Sequence, residues 1–280
     1  MKAPQPTLPS ANGTLTGQPA SVTLVGAGPG DPDLITMKGV KALQQADAVL
    51  YDALVCPEIL DHAPAHAPKV YVGKRAGQHS HKQEQINALI VEYALKYGHV
   101  VRLKGGDPYV FGRGHEELDI AREYALPTTV IPGITSAVAV PGSQQIPVTK
   151  RGVNESFWVI TGTTRKGEVS ADMQWAAKSS ATILILMGMR KIEQIMETFI
   201  SEGKQNTPVA VVQNGTRPDE RYGLGTVGTI TGVVNELGLE APAIIIIGEV
   251  VKEHPQWNHQ KKSAIWIKLE EQLNTIESVA

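Results

Sequence analysis

Residues 23–36 read TLVGAGPGDPDLIT: a short apolar run, three glycines in five residues with a proline among them, then Asp31 and Asp33. The run before the glycines has the length of a strand. Behind them, Ile35, Gly39, Ala42, Leu43 and Ala46 fall on one helical face. Strand, glycine turn and helix form half of a crossover unit, so the stretch points to an α/β fold with mainly parallel sheets. A dinucleotide fingerprint, G-x-G-x-x-G with an acidic residue about 20 positions on, is the first reading to test. Gly26 and Gly28 match and Asp52 stands where the acid belongs, but Asp31 occupies the third glycine position. With Asp33 it would cap free amides at the helix N-terminus and compete there with a pyrophosphate. A dinucleotide is disfavoured.

Two further glycine-rich turns occur in the first half, VVRLKGGDPYVFGRGHEE (residues 100–117) and VIPGITSAVAVPG (residues 130–142). Each follows a strand pattern and precedes a helix. Three such turns would meet at the carboxyl edge of one sheet, where open α/β folds place ligands. There Gly105 and Gly106 would allow close backbone approach, and Asp107 would accept hydrogen bonds from a ribose or an ammonium group. Taken singly, each turn reads as a position needing positive φ and nothing more; the convergence of three favours a site.

Strands are expected near 21–25, 47–51, 69–72, 99–103 and 128–131, then near 157–161, 181–187, 208–213, 221–226 and 243–249. Two more helical stripes stand out, Ile86, Leu89, Ile90, Tyr93, Ala94 and Tyr97, and Ile192, Ile195, Met196, Phe199 and Ile200. Ser80 and Gln83 have capping-box spacing ahead of the former. The chain of 280 residues is long enough for two α/β domains sharing a cleft. Their expected limits are a disordered arm over 1–20, a first domain over 21–142, a linker over 143–156, a second domain over 157–251, and a tail over 252–280 holding a possible helix.

The net charge of −2 provides no global field for a nucleic acid. The single cysteine, Cys56, forms no intramolecular disulfide and completes no CxxC pair. The first twenty residues lack an apolar signal region, and the longest apolar run, AIIIIGEVV, is far shorter than the roughly 20 residues of a membrane span. A cytoplasmic protein without membrane or nucleic-acid partners is expected. The histidines offer no convincing ligand set, since Pro64 interrupts the His62 and His66 spacing and His79 and His81 stand alone. No metal is expected.

Taken together, VGAGPGD (25–31), LYD (50–52), VGKRAG (72–77), RLKGGDPYVFGRG (102–114), PGITSA (132–137), MG (187–188) and TPVAVVQNGT (207–216) resemble the uroporphyrinogen-III C-methyltransferase family of tetrapyrrole (class III) S-adenosylmethionine methylases. The likeness runs from about Val22 to Val251, and GKRAG and GGDPxVFGRG are its most specific parts. It implies a homodimer of two-domain subunits with S-adenosylmethionine in the interdomain cleft. The implied reaction methylates uroporphyrinogen III at C-2 and C-7, giving precorrin-2 and S-adenosylhomocysteine. Position by position, the resemblance assigns cofactor binding to Pro29, Gly105, Gly106, Asp107, Val110, Thr135, Ser136, Met187 and Gly215. It makes Asp52 the proton acceptor and Lys74 the proton donor.

A substrate with eight carboxylates calls for local cations. Arg75, Arg113, Lys150 and Arg151, all in glycine-rich or irregular segments, are the candidates. The chain departs from the family pattern at Ala53, where an arginine is usual, at Lys150 and Thr163, where histidine is frequent, and at Leu186, where tyrosine is. A later precorrin or cobalt-precorrin methylase and an inactive tetrapyrrole binder are the alternatives.

Overall fold

The apolar run before the first glycine turn is strand β1 (Ser21–Gly26), followed in the first half by β2 (Ala48–Tyr51), β3 (Lys69–Tyr71), β4 (His99–Lys104) and β5 (Thr128–Ile131). All five lie where the sequence puts them. They form one sheet in the order β3-β2-β4-β1-β5, with every neighbouring pair parallel. The computed structural model describes residues 14–73 and 82–257, and the chain divides into two units, Met1–Ser136 and Ala137–Ala280.

Three helices cover the first sheet: α1 (Met37–Gln44), α2 (Gln83–Tyr97) and α3 (Gly114–Glu123). Leu24, Leu50 and Val100 pack with Ile86, Ile90, Leu118 and Ala121 of α2 and α3. On the opposite face Val25, Val49 and Leu103 pack with Ala42 and Leu43 of α1 and with Ile59 and Leu60. Burial on both faces accounts for strands that read as nearly unbroken apolar runs. Because α1 and α3 lie on opposite faces, the loops leaving the adjacent strands β1 and β4 part from each other. The chain leaves the carboxyl edge toward both faces from this point, where open α/β folds place ligands.

Some local signals work differently from expectation. Asp31 caps only the 3-10 turn Pro32–Leu34, accepting from the Asp33 amide at 2.9 Å, while Thr36 caps α1 through the Gly39 amide at 3.1 Å. The capping interaction of α2 falls two residues later than Ser80 and Gln83 suggest. Helix α2 begins at Gln83, so Gln85 occupies the third position and accepts from the Lys82 amide at 2.8 Å; Ser80 lies outside the described residues. Residues 14–20 of the expected arm are held against the end of α2: the Leu15 amide donates to the Lys96 carbonyl at 2.8 Å and the Thr16 hydroxyl to that of Tyr97. The free carbonyls of the last helical turn recruit this segment.

The second unit holds α4 (Ser136–Ser143, whose first residue belongs to the first unit), β6 (Phe157–Thr161), α5 (Asp172–Lys178), β7 (Thr182–Leu186), α6 (Ile192–Ser201), β8 (Pro208–Gln213), β9 (Arg221–Thr226), α7 (Ile230–Leu237) and β10 (Ala243–Ile247). Its sheet runs β6-β7-β10-β8-β9, and here the expectation of a mainly parallel sheet is corrected. Only β6 and β7 pair parallel; the other three pairs are antiparallel. The β8 to β9 connection has no helix, and so short a link returns the chain antiparallel. Strand β10 then inserts between β7 and β8.

The division between units also precedes the expected 143–156 linker. Ala137 and Val140 of α4 and the following Ile146 are buried with Leu184, Ala210, Val212, Ile244 and Ile246. Apolar side chains in an aperiodic segment join whichever core lies beside them, which local periodicity does not reveal. The expected tail helix lies outside the described residues. Among the described residues no helix is long and apolar enough to cross a membrane.

Candidate active site

The three glycine turns of the first unit interlock. The Gly106 amide donates to the Gly28 carbonyl at 2.7 Å, the Gly28 amide returns to Gly106 at 3.3 Å, and the Ala27 amide reaches Lys104 at 2.8 Å. Gly133 lies so close that a Cβ on it would sit 2.2 Å from the Gly106 carbonyl oxygen. Gly133→Ala is therefore expected to lower stability by about 1–3 kcal/mol, read as a fall in the thermal midpoint. Gly106 has φ +66° and open space where its side chain would be. A ligand can thus meet bare backbone at Gly106, on the edge formed by the loops after β1 and β4.

Pro29, Gly105, Gly106, Asp107, Val110 and Thr135 all lie on the loops of this edge, and Ser136 opens α4. Asp107 has structural duties that the sequence did not disclose. Its Oδ1 accepts from the Tyr109 amide at 2.8 Å and its Oδ2 from the Gly133 amide at 3.1 Å, stitching the loop after β4 to the loop after β5.

Asp52 follows β2 at the same edge. Its Oδ2 accepts from an Arg102 terminal nitrogen at 2.8 Å, and the Lys104 Nζ stands 3.9 Å away. The Asp52 Oδ1 is buried and has no hydrogen-bond partner among the described residues. Arg102 also donates through Nε to Glu117 Oε1 at 3.3 Å, and that same oxygen accepts from Lys104 at 3.0 Å and from Gln83 at 3.2 Å. Burial works against the Arg102 cation, yet Asp52 and Glu117 more than offset it and hold its pKa above the ordinary value. Lys104 is pushed below the ordinary lysine value, first by burial and then by Arg102, with Glu117 and Asp52 opposing.

Arg102, Lys104 and Glu117 were not picked out as site residues from the sequence. The signal was present: two cations at alternate positions of an otherwise apolar strand share one face, and buried cations require acidic partners.

Lys74 and Arg75 lie outside the described residues. Arg113, left-handed at φ 58°, already has its fork filled by Glu116, with Nε to Oε1 at 2.7 Å and a terminal nitrogen to Oε2 at 2.6 Å. Lys150 pairs with Glu253 at 2.6 Å. Arg151 is exposed in a turn and makes no ion pair among the described residues. For Arg113 and Lys150 a substrate carboxylate would have to displace an internal one.

In the second unit, Met187 and Gly215 follow β7 and β8, whose carboxyl ends share one sheet edge. Met187 is 53% exposed and left-handed at φ 57°, and its carbonyl accepts from the Thr163 hydroxyl at 2.9 Å. Gly215 is flanked by left-handed Asn214 and Thr216, and a Cβ on it would lie 2.5 Å from both methyl carbons of Val140. Three non-glycine residues held at positive φ along one edge store strain of the kind that gathers at binding sites.

Comparison with known proteins gives these edges a family. Residues 21–231 match the family model for Tetrapyrrole (Corrin/Porphyrin) Methylases. The chain belongs to the tetrapyrrole methylases. The tetrapyrrole methylase of Methanocaldococcus jannaschii named uroporphyrinogen-III C-methyltransferase is 46% identical over 232 residues, 82% of this chain and 96% of the relative. Among solved tetrapyrrole methylases, the uroporphyrin-III C-methyltransferase of Thermus thermophilus complexed with S-adenosylhomocysteine aligns with a TM-score of 0.72 at 36% identity, over 83% of this chain and 99% of that one. Cobalt precorrin-4 methyltransferase aligns with a TM-score of 0.74 at 29% identity, over 83% and 96%. Bare backbone with open space at Gly106 suits an adenosyl group, which is uncharged and needs no ionic partner.

Proposed function

We propose that this tetrapyrrole methylase transfers methyl groups from S-adenosylmethionine to C-2 and C-7 of uroporphyrinogen III, giving precorrin-2 and S-adenosylhomocysteine, as a cytoplasmic homodimer. The observation that carries the mechanism is Asp52. Its carboxylate is anchored through Oδ2 by Arg102 at 2.8 Å, and the side chain keeps 28% of its surface exposed at the sheet edge. A carboxylate held in this way is oriented to receive a proton from the porphyrinogen as positive charge develops on the ring. S-adenosylmethionine, when bound, supplies a methyl group already activated as an electrophile, so the chain's remaining work is binding and alignment.

In the first unit Pro29, Gly105, Gly106, Val110, Thr135 and Ser136 would present backbone and small side chains to the cofactor, with Asp107 keeping their loops in register. In the second unit Met187 and Gly215 are the assigned contacts. Lys74 would return a proton, and Arg75, Arg113, Lys150 and Arg151 would meet substrate carboxylates. The 46% identity to a uroporphyrinogen-III enzyme favours this substrate. The likeness to cobalt precorrin-4 methyltransferase makes a later corrin methylation the second reading.

Anaerobic incubation with S-adenosylmethionine and uroporphyrinogen III, followed by mass and absorbance analysis, tests the proposal. Two added methyl groups are expected; tight tetrapyrrole binding without transfer would refute it. Met187→Ala tests the second unit separately. Its side chain is exposed, so trimming it should leave stability nearly unchanged while weakening S-adenosylhomocysteine binding about threefold to tenfold by calorimetry.

A further inference from the structure

A chain of hydrogen bonds in the second unit ends at the loop that holds Gly215. The Gln256 amide donates to His254 Nδ1 at 3.1 Å, which places the ring proton on Nε2. That nitrogen donates to Gln144 Oε1 at 3.1 Å, and the Gln144 amide donates to Glu220 Oε1. The other Glu220 oxygen accepts from the Thr216 amide at 2.7 Å and from the Ser143 hydroxyl at 3.5 Å. Each group has one compatible role, so the chain has a defined direction. His254 is 4% exposed and Gln144 7%, so neither can exchange its partner freely for water. The target is strained: Thr216 has φ 68° and Asn214 φ 52°.

We propose that His254 is a positioning residue for the cofactor loop, acting through Gln144 and Glu220 to hold Thr216, and with it Gly215, in the binding conformation. The proposal rests on the reading that Gly215 contacts the cofactor. It makes cofactor affinity depend on the charge of a buried ring remote in sequence from every glycine motif. Burial lowers the His254 pKa below the ordinary histidine value. Above that pKa the neutral ring keeps the chain intact. As pH falls through it, Nδ1 gains a proton that meets the Gln256 N–H as a second donor, and a buried cation is disfavoured, so the ring is driven from its place and Gln144 loses its Nε2 donor. Among the described residues, the Tyr222 ring of β9 faces the imidazole at 4.8 Å and Gln144, just past α4, bonds it, with Glu220 one link beyond. The adjacent Lys252 and Glu253 are paired with Glu249 and Lys150.

His254→Phe keeps an aromatic ring against Tyr222 and removes both hydrogen bonds. In this variant the Thr216 amide should exchange with deuterium about tenfold faster than in the wild type, and the Kd for S-adenosylhomocysteine should rise about fivefold or more. The wild type should show the same weakening as pH is lowered through the His254 pKa, and the variant should have lost that dependence. Unchanged Thr216 exchange, or acid weakening that survives in His254→Phe, overturns the proposal. Faster exchange with unchanged affinity overturns the assignment of Gly215 to the cofactor instead, and with it the functional half of the inference. Should His254→Phe not fold, Gln144→Met cuts the chain at its middle and is held to the same two readings.

Discussion

Asp52→Asn is expected to lower kcat for methyl transfer to uroporphyrinogen III by about a hundredfold or more, with the Kd for S-adenosylhomocysteine within about twofold of wild type. The substitution keeps the shape of the side chain, and the amide oxygen can still accept from the Arg102 nitrogen that now reaches Oδ2 at 2.8 Å. What it removes is the basicity of the carboxylate. An effect confined to kcat therefore separates proton transfer from cofactor binding. Single-turnover methylation, followed by mass, is the direct measurement, because it isolates the chemical step from product release. Wild-type turnover in the variant would remove Asp52 from the mechanism and leave it as the acidic partner of Arg102.

Glu117→Leu should cause the largest loss of stability of any substitution near the site, about 3–5 kcal/mol by denaturant titration. Glu117 is fully buried, and its Oε1 is the meeting point of Arg102, Lys104 and Gln83. Without it Arg102 keeps Asp52, but Lys104 loses its 3.0 Å partner and, among the described residues, is left with the Asp52 oxygen at 3.9 Å. A buried cation left in this way costs more than the pair contributed, so adding Lys104→Met to Glu117→Leu should recover a large part of the loss. Strict additivity in the double variant would show that the two side chains are energetically independent, contrary to their geometry.

The glycine-rich turns were legible because each requirement is local. A strand that must turn sharply at a sheet edge leaves glycine in its wake, and three such turns in a βα series converge by topology alone. Asp52 was legible for the same reason, as the first residue past β2. The buried partners of Asp52 were harder to read. Arg102 and Lys104 stood within a quoted motif, but their acid, Glu117, lies thirteen residues past Lys104 on α3. Only the packing of α3 on the sheet brings these charges together. Arg113 and Lys150 were reasonable candidates as isolated cations, yet the fold gives each an internal carboxylate.

By itself the sequence determined the two α/β halves, the ten strands found among the described residues, the apolar faces of α1, α2 and α6, and the glycine-lined edge of the first sheet. It could do so because strand length, helical period and turn composition are written in neighbouring residues. Tertiary structure alone decided that three of the four strand pairings in the second sheet are antiparallel, that α4 joins the second core, that Asp107 stitches two loops, and that His254 is linked to Thr216 through two side chains. Those features depend on which distant residues come within hydrogen-bonding or van der Waals reach, and that is set by the direction of strands and the packing of helices rather than by local pattern.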